Sequence, residues 1–461
     1  MISILVPTFA LLGFYWARFF FRKYKQGKKL SFILPLAFTC LFIPKINLIQ
    51  VNPDHSMAGI RTDDLLALAM VLTAVLDRRT WKDRRILIGL GFLGALSLAC
   101  LISVFCGRGM GYDNAVPFSI LSILRRFEYF AFVLIGVYLA LHTENGGKTA
   151  LTEFAIMSGF HMIIGLLQVI GVCNYAVIGF LDFWDPSWAN RAISTFNGHY
   201  EYGHFLCFGI AVFLCVFLRT RKPGWMALVA ANFGMIWLSN SRTSLIVGMF
   251  LTVLILLFSL RKSTPGPLKA VAFGSIGLFL LAGILFATGA VELGRFGAIN
   301  LSEYAETMQT TLANGNLPEY AKMVRAGISE STTMPAGIAD ADVYARFFKW
   351  GAAMDGFRQS PFFGYGTGVT EVMDGNYIKL LGENGIIGLL LWLGMFGYYL
   401  RVVWKARREA LPARSVFWMM VSVLLASFAI DMFEASKPME MLWLGIGLVI
   451  GLSGAFTGET E

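Results

Sequence analysis

The chain has 461 residues, 56% of them hydrophobic and 15% charged, with a mean hydropathy of +0.64. Soluble domains carry about 25% charged residues, so this composition excludes an ordinary water-soluble enzyme, and the abundance of apolar surface excludes a disordered chain. The net charge of +9 would suggest nucleic acid in a soluble protein. In so apolar a chain the excess Lys and Arg mark the cytoplasmic loops of a membrane protein, and no nucleic-acid partner is expected.

Apolar runs fall near 2–20, 30–46, 64–77, 86–106, 127–142, 151–173, 203–218, 225–240, 243–260, 270–290, 376–400, 415–431 and 441–456. They predict an all-α polytopic membrane bundle of about twelve to fourteen helices, the short runs at 30–46, 64–77 and 225–240 leaving the number open. The first run lacks a basic n-region and a small-residue cleavage site, and so reads as a span. Three parts follow: a transmembrane bundle over 1–290, a large helical loop over 291–375, and further transmembrane helices over 376–461. The six Cys read as buried thiols, with a Cys106–Cys173 disulfide as the alternative.

Segments 18–29, 77–85, 143–150, 219–224, 261–269 and 401–414 hold 23 of the 38 Lys and Arg, all on one side if the spans alternate. That side is expected to be the cytoplasm. The other side, or the spans themselves, must then hold Arg61, Arg108, Arg125, Arg126, Arg191, Arg242, Arg295, Arg325, Arg346 and Arg358. Topology disfavours cations there, and an anionic ligand at the outer face is the simplest reason for them.

Within the large loop, Val343, Phe347, Trp350, Met354 and Phe357 recur at helical spacing and predict an amphipathic helix. Pro361 follows its end, and Asp340 or Asp342 would cap its start. The Asp340-Ala341-Asp342 triplet also resembles a metal-holding acidic pair, but capping explains it, and no metal is expected.

The strongest local pattern is DGNYIKLLGENGIIGLL over 374–390, where the loop returns to the membrane. Asp374 reads either as an N-cap or as a reactive carboxylate at the membrane surface. Glu383 lies about 13 Å deeper along a helix and on the opposite face, so the two are not a carboxylate pair. A carboxylate there needs a partner, and Glu383 reads as a supporting group. Gly385 and Gly388 read as packing glycines. A second polar cluster, Arg191, Asn197, His199, Tyr202 and His204, opens a hydrophobic helix. Arg242 falls in a very short turn between two spans. Arg carries a permanent charge and can grip phosphate oxygens with a bidentate fork. His161, within a span, reads as a satisfied core histidine.

At these residues the chain resembles the O-antigen ligase and Wzy-type polysaccharide polymerase superfamily. The shared elements run in order over roughly 180–400. They are an Arg followed by a Thr-Phe turn (Arg191 to Phe196), a Ser-Arg-Thr-Ser start to a span (Ser241 to Ser244), an Arg-helix-Pro-hydrophobic-Gly-x-Gly run (Arg346 to Gly366), and Tyr377, Glu383, Gly385 and Gly388 of the returning helix. The resemblance implies a GT-C-like membrane glycosyltransferase. It would take a glycan from undecaprenyl pyrophosphate at the periplasmic face of the bacterial inner membrane, with outer Arg residues on the pyrophosphate and no cofactor.

Ligases of this superfamily usually carry a His just before the Asn-x-Tyr of the returning helix; here that place holds Asp374, which favours a polymerase acting on a lipid-linked repeat unit. A ligase remains the alternative within the class, and a transporter the alternative outside it. A chain-length regulator is the further partner that a polymerase implies. The expected roles are Asp374 as base, Arg191, Arg242 and Arg346 on the pyrophosphate, Arg295 or Arg325 as an added clamp, and His199 and Tyr377 on sugar hydroxyls.

Overall fold

A computed structural model describes residues 3–50, 59–112, 116–173, 191–259, 309, 316–318, 341–370, 373–407 and 410–456. In chain order the helices are α1 (Leu5–Phe20, ending in a π-turn, Phe21–Lys25), α2 (Ile33–Phe42), α3 (Thr62–Leu76), α4 (Arg84–Gly109), α5 (Val116–His142), α6 (Gly146–Val169) and α7 (His199–Thr220). They continue with α8 (Pro223–Ser239), α9 (Arg242–Ser259), α10 (Ala341–Gln359), α11 (Asn376–Ala406), α12 (Leu411–Ala426) and α13 (Ser436–Phe456). Each apolar run predicted from the sequence coincides with one of these helices, except 270–290, which lies outside the described residues. Against the all-α expectation, one short antiparallel hairpin pairs β1 (Asn47–Gln50) with β2 (Gly59–Arg61) between α2 and α3.

Five of the described helices, α4, α6, α7, α9 and α11, are long and apolar enough to cross a membrane. Their outward faces agree with that. Leu98, Phe105, Ile246 and Leu390 are each at least 60% exposed, a surface that water would penalise and hydrocarbon would not. Among the described residues the small hairpin is the one departure from an all-α membrane protein.

Tight connections force neighbouring helices to run antiparallel. Asp83 caps α4 by accepting from Arg85 N at 2.8 Å. Pro223 and Pro412 open α8 and α12 at the first turn, where a missing N–H costs nothing. Left-handed Arg221 and Asn240 close α7 and α8. The bundle therefore has two chemically different ends. At one, called here the basic end, the Lys- and Arg-rich connections meet: Glu144 N donates to Lys29 O at 2.9 Å, and Arg85 Nη1 donates to Ser453 Oγ at 2.6 Å. The helix ends at Phe42 and Thr62, Val169 and His199, Gln359 and Asn376, and Ala426 and Ser436 lie at the other, the loop end.

α7 is apolar all round and sits at the centre, with Phe205, Phe208 and Phe213 fully buried, as expected of a helix without a polar face. α5 and α13 lie parallel along a seam of small residues. A Cβ on Gly136 would stand 2.1 Å from Leu444 O, one on Gly447 2.0 Å from Val133 O, and one on Gly451 2.6 Å from Ala140 Cβ. Gly136-x-x-x-Ala140 thus meets Gly447-x-x-x-Gly451, the spacing that lets two backbones touch in a membrane.

α10 confirms the predicted helix but not its buried face. Tyr344, Ala352, Ala353 and Gly356 are the inward positions, while Phe347, Trp350, Met354 and Phe357 are half-buried. The reason is close contact with α11: a Cβ on Gly382 would stand 3.0 Å from Ala353 Cβ, so small residues face inward and large ones flank them. The six cysteines are free, and Cys106 is half-buried instead of buried.

Gly136→Leu should drive α5 and α13 apart and lower the apparent Tm in detergent sharply or prevent recovery of monodisperse protein. Gly397→Leu, at a site with no atom within 4 Å, should leave both unchanged.

Candidate functional site

The polar side chains of the loop end form three assemblies. The first locks the segment before α7. Gln168 of α6 accepts from Ile193 N (3.1 Å) and Ser194 N (2.7 Å) and donates to Ser194 O (2.9 Å). This holds Ser194 at φ +56, a left-handed conformation that a non-glycine residue adopts only when its surroundings dictate it. His161 Nδ1 lies 3.0 Å from Ser194 Oγ, so this span histidine is tied into the turn. Lys437 of α13 donates to Thr195 O (2.5 Å) and Thr195 Oγ1 (2.7 Å), and Thr195 Oγ1 in turn donates to Phe42 O at 2.6 Å. On this rigid turn the buried Arg191 brings Nη1 within 3.3 Å of His199 Nε2, the ring nitrogen presenting its lone pair to the guanidinium.

The second assembly is a buried charge network. Lys45 pairs with Asp63 and, at 2.5 Å, with Glu440; Arg125 pairs with Asp64 at 2.7 Å and with Glu128. Oxygens of Asp63, Asp64 and Glu128 lie within 4.8 Å of one another, and each of the three carboxylates is paired with Lys45 or Arg125. Arg125, counted from sequence among the cations needing an anion, is thus supplied by its own protein's acids. Its role is to tie α5 to α3.

The third assembly builds the returning turn before α11. Asp431, between α12 and α13, accepts from Met373 N (2.7 Å) and Gly375 N (3.1 Å), and Trp350 Nε1 donates to Met373 O (3.0 Å). Burial pushes the Asp431 carboxyl up, with Lys379 pulling the other way. The peptides on both sides of Asp374 are therefore clamped, and Asp374 sits at φ +53. It does not cap α11: the residue before that helix is Gly375, with no side-chain cap. Its carboxylate, 24% exposed, lies 3.4 Å from Lys349 Nζ of α10. Lys379 pairs with Glu434 at 2.7 Å. Tyr377 spends its hydroxyl on Leu424 O at 2.7 Å, which ties α11 to α12 and leaves its ring, not its O–H, to meet a ligand.

α11 is broken. Gly385 has φ +64 and ψ −171 inside it, where the sequence suggested a packing glycine. The segment 361–366 takes up the hydrogen bonds that the break releases. Tyr365 N and Gly366 N donate to Gly382 O (3.0 Å) and Glu383 O (3.2 Å), while Ile386 N and Ile387 N donate to Pro361 O (2.9 Å) and Phe362 O (3.3 Å). Ser103 Oγ of α4 adds a further hydrogen bond to Glu383 O. Glu383 is fully buried, and its partner comes from the loop: Thr370 donates to it through N (3.2 Å) and Oγ1 (2.7 Å).

The residues picked from sequence are thus distributed over several elements. Arg191 and His199 are together. Asp374 and Tyr377 share the returning turn. Arg242 is the half-buried first residue of α9, beside the Ser241–Ser244 hydroxyl pair at 2.7 Å. Arg346 lies on α10, one turn before Lys349, with a buried Nε. Arg358 is exposed. Arg295, Arg325 and the side chains of Asp340 and Asp342 lie outside the described residues. Sequence reasoning missed Lys349, Asp431, Gln168 and Lys437. Asp431 and Lys437 carried a signal: charges bordering an apolar span demand partners.

Gly385→Ala should be severely destabilising. Its Cβ would stand 2.3 Å from Phe362 C and O, in a backbone conformation that L-residues avoid. Asp431→Ala would leave two amides without their acceptor, costing about 2–4 kcal/mol; a lowered Tm and faster proteolysis near 366–376 are the expected readouts. No protein-family model matches this sequence, and no curated protein matches it.

Proposed function

We propose that this chain is a membrane glycosyltransferase of the polysaccharide polymerase type. It moves a glycan from undecaprenyl pyrophosphate to a sugar hydroxyl of a lipid-linked repeat unit, at the loop end of the bundle. The basic end then faces the cytoplasm of a bacterial inner membrane, and the loop end faces the periplasm. One observation carries the reading: Asp374, partly exposed, is held in a left-handed backbone conformation by clamps on both flanking peptides. Such strain persists where its surroundings impose it, and it concentrates at reactive sites.

In this reading the Asp374 carboxylate, oriented by Lys349, accepts the proton of the acceptor hydroxyl as that oxygen bonds to the anomeric carbon. The bond from the anomeric carbon to the pyrophosphate oxygen breaks on the opposite face, and the carrier pyrophosphate leaves with the electron pair. Direct displacement inverts the anomeric configuration. Guanidiniums of Arg191, Arg242 and Arg346 are the groups assigned to the growing phosphate charge, since preorganised cations act most strongly in a partly dehydrated site. Tyr377 contributes its ring to the sugar, and His199 fixes Arg191.

One finding favours a second reading, transport: broken helices often bind the solute in carriers, through the backbone groups that the break exposes. Here Gly382, Glu383, Ile386 and Ile387 have those groups bonded to segment 361–366. The break is internally satisfied, which supports the transferase.

The test is reconstitution with lipid-linked repeat units alone. A polymerase makes a ladder of longer products; a ligase makes none until its own acceptor is added; a carrier moves the substrate unchanged. Asp374→Asn should lower product formation about 10²–10⁴-fold, the usual contribution of a general base, in protein that is otherwise folded and inserted. Arg191→Lys should also lose activity, because Lys keeps the charge without the bidentate fork. Full activity in either variant removes that residue from its assigned role.

A further inference from the structure

A cavity of about 120 Å³ opens among α2, α5, α6, α7, α12 and α13. It reaches from Thr143, Gly146 and Pro412 at the basic end to Leu41, Met157 and Met441 deeper in the bundle. Along α6, from Gly146 to Met157, that is roughly 16 Å at 1.5 Å per residue. The wall is hydrocarbon, chiefly Phe38, Leu139, Phe154, Val212, Met419 and Leu448. Two of its three hydroxyls turn back on the backbone, Thr149 Oγ1 donating to Glu144 O at 3.1 Å and Ser415 Oγ to Leu411 O at 3.3 Å, while Thr143 Oγ1 makes no hydrogen bond within the protein. Water there would find few partners.

The charged group in this wall is Glu153, which pairs with Arg18 at 3.1 Å and with Arg22. The two arginines stand one turn apart on α1 and its π-turn, on the same helical face. Two guanidiniums against one carboxylate leave a net positive charge beside the cavity, and Arg18 is 24% exposed. Lys23, Lys25, Lys28 and Lys29 follow in the same basic segment.

We propose that this cavity holds an acyl chain of an anionic phospholipid drawn from the leaflet at the basic end, with the lipid phosphate against Arg18 and Arg22. Hydrocarbon matches the wall, and the residual charge selects an anionic headgroup over a zwitterionic one. The lipid braces six helices from within, on the side of the membrane opposite the returning turn, so this inference is independent of the reaction proposed above.

The experiment uses the full chain purified in mild detergent. Retained lipid is read by native mass spectrometry, and Tm is followed as phosphatidylglycerol or phosphatidylcholine is added. Wild type should retain phosphatidylglycerol and be stabilised by it more than by phosphatidylcholine. Arg22→Gln, which keeps the Arg18–Glu153 pair, should weaken that preference about fivefold, the usual effect of one basic residue on an anionic lipid. Ala150→Phe, filling the cavity from α6, should abolish retention of either lipid while leaving the arginines in place. Equal retention of the two lipids by wild type would mean unselective lipid at the perimeter and overturn the proposal. So would retention by Ala150→Phe at the wild-type level.

Discussion

A helix can break inside a membrane protein only if something else takes up the hydrogen bonds it gives away. In α11 that something is the turn 361–366, and much of the loop end depends on the exchange. Because Tyr365, Gly366, Pro361 and Phe362 bond to both halves of the broken helix, the turn cannot drift from the bundle. α10, just before it, is held against α11. Lys349 and Trp350 on α10 are thereby carried to Asp374. The break thus fixes where the large loop meets the membrane, and the returning turn inherits its geometry from that junction.

The three polar assemblies share a design. In each, an ionic or amide side chain joins segments distant in sequence: Gln168 and Lys437 hold 193–195, Lys45 and Arg125 tie the α2–α3 region to α5 and α13, and Asp431 holds 373–375. Buried charges are costly in hydrocarbon. Here the cost is offset because every one of these groups is paired or hydrogen-bonded within the protein. The cost is conformational freedom of the backbone at 193–195 and 373–375.

Most helices were legible because hydropathy reports burial in lipid directly. The run at 86–106 became α4, that at 203–218 became α7, and that at 441–456 became α13. What stayed hidden depends on contacts distant in sequence. Gly385 follows Glu383 and Asn384 in a run that reads as one continuous helix, and only the approach of Pro361 and Phe362 turns it into a break. Glu383 was recognised as needing a partner, but a carboxylate can be satisfied by an amide and a hydroxyl as well as by a cation, and Thr370 sits in a loop without periodicity. The inward face of α10 was misjudged because pattern reading counts large apolar residues, whereas close helix contact selects small ones. Asp374, Arg191 and His199 were legible as polar residues opening apolar helices; that Asp431 clamps one and Gln168 the other was not.

The seam between α5 and α13 has a consequence for how the protein is made. Its two sides are about three hundred residues apart in the chain, Gly136 and Ala140 on one fitting Gly447 and Gly451 on the other. During synthesis α5 is made long before its counterpart exists, so its small-residue face at Gly136 and Ala140 must wait, exposed to lipid or to passing helices. Completion of this seam is thereby deferred until α13 has been made, and the interval before its arrival is when a chaperone for nascent membrane segments would matter most.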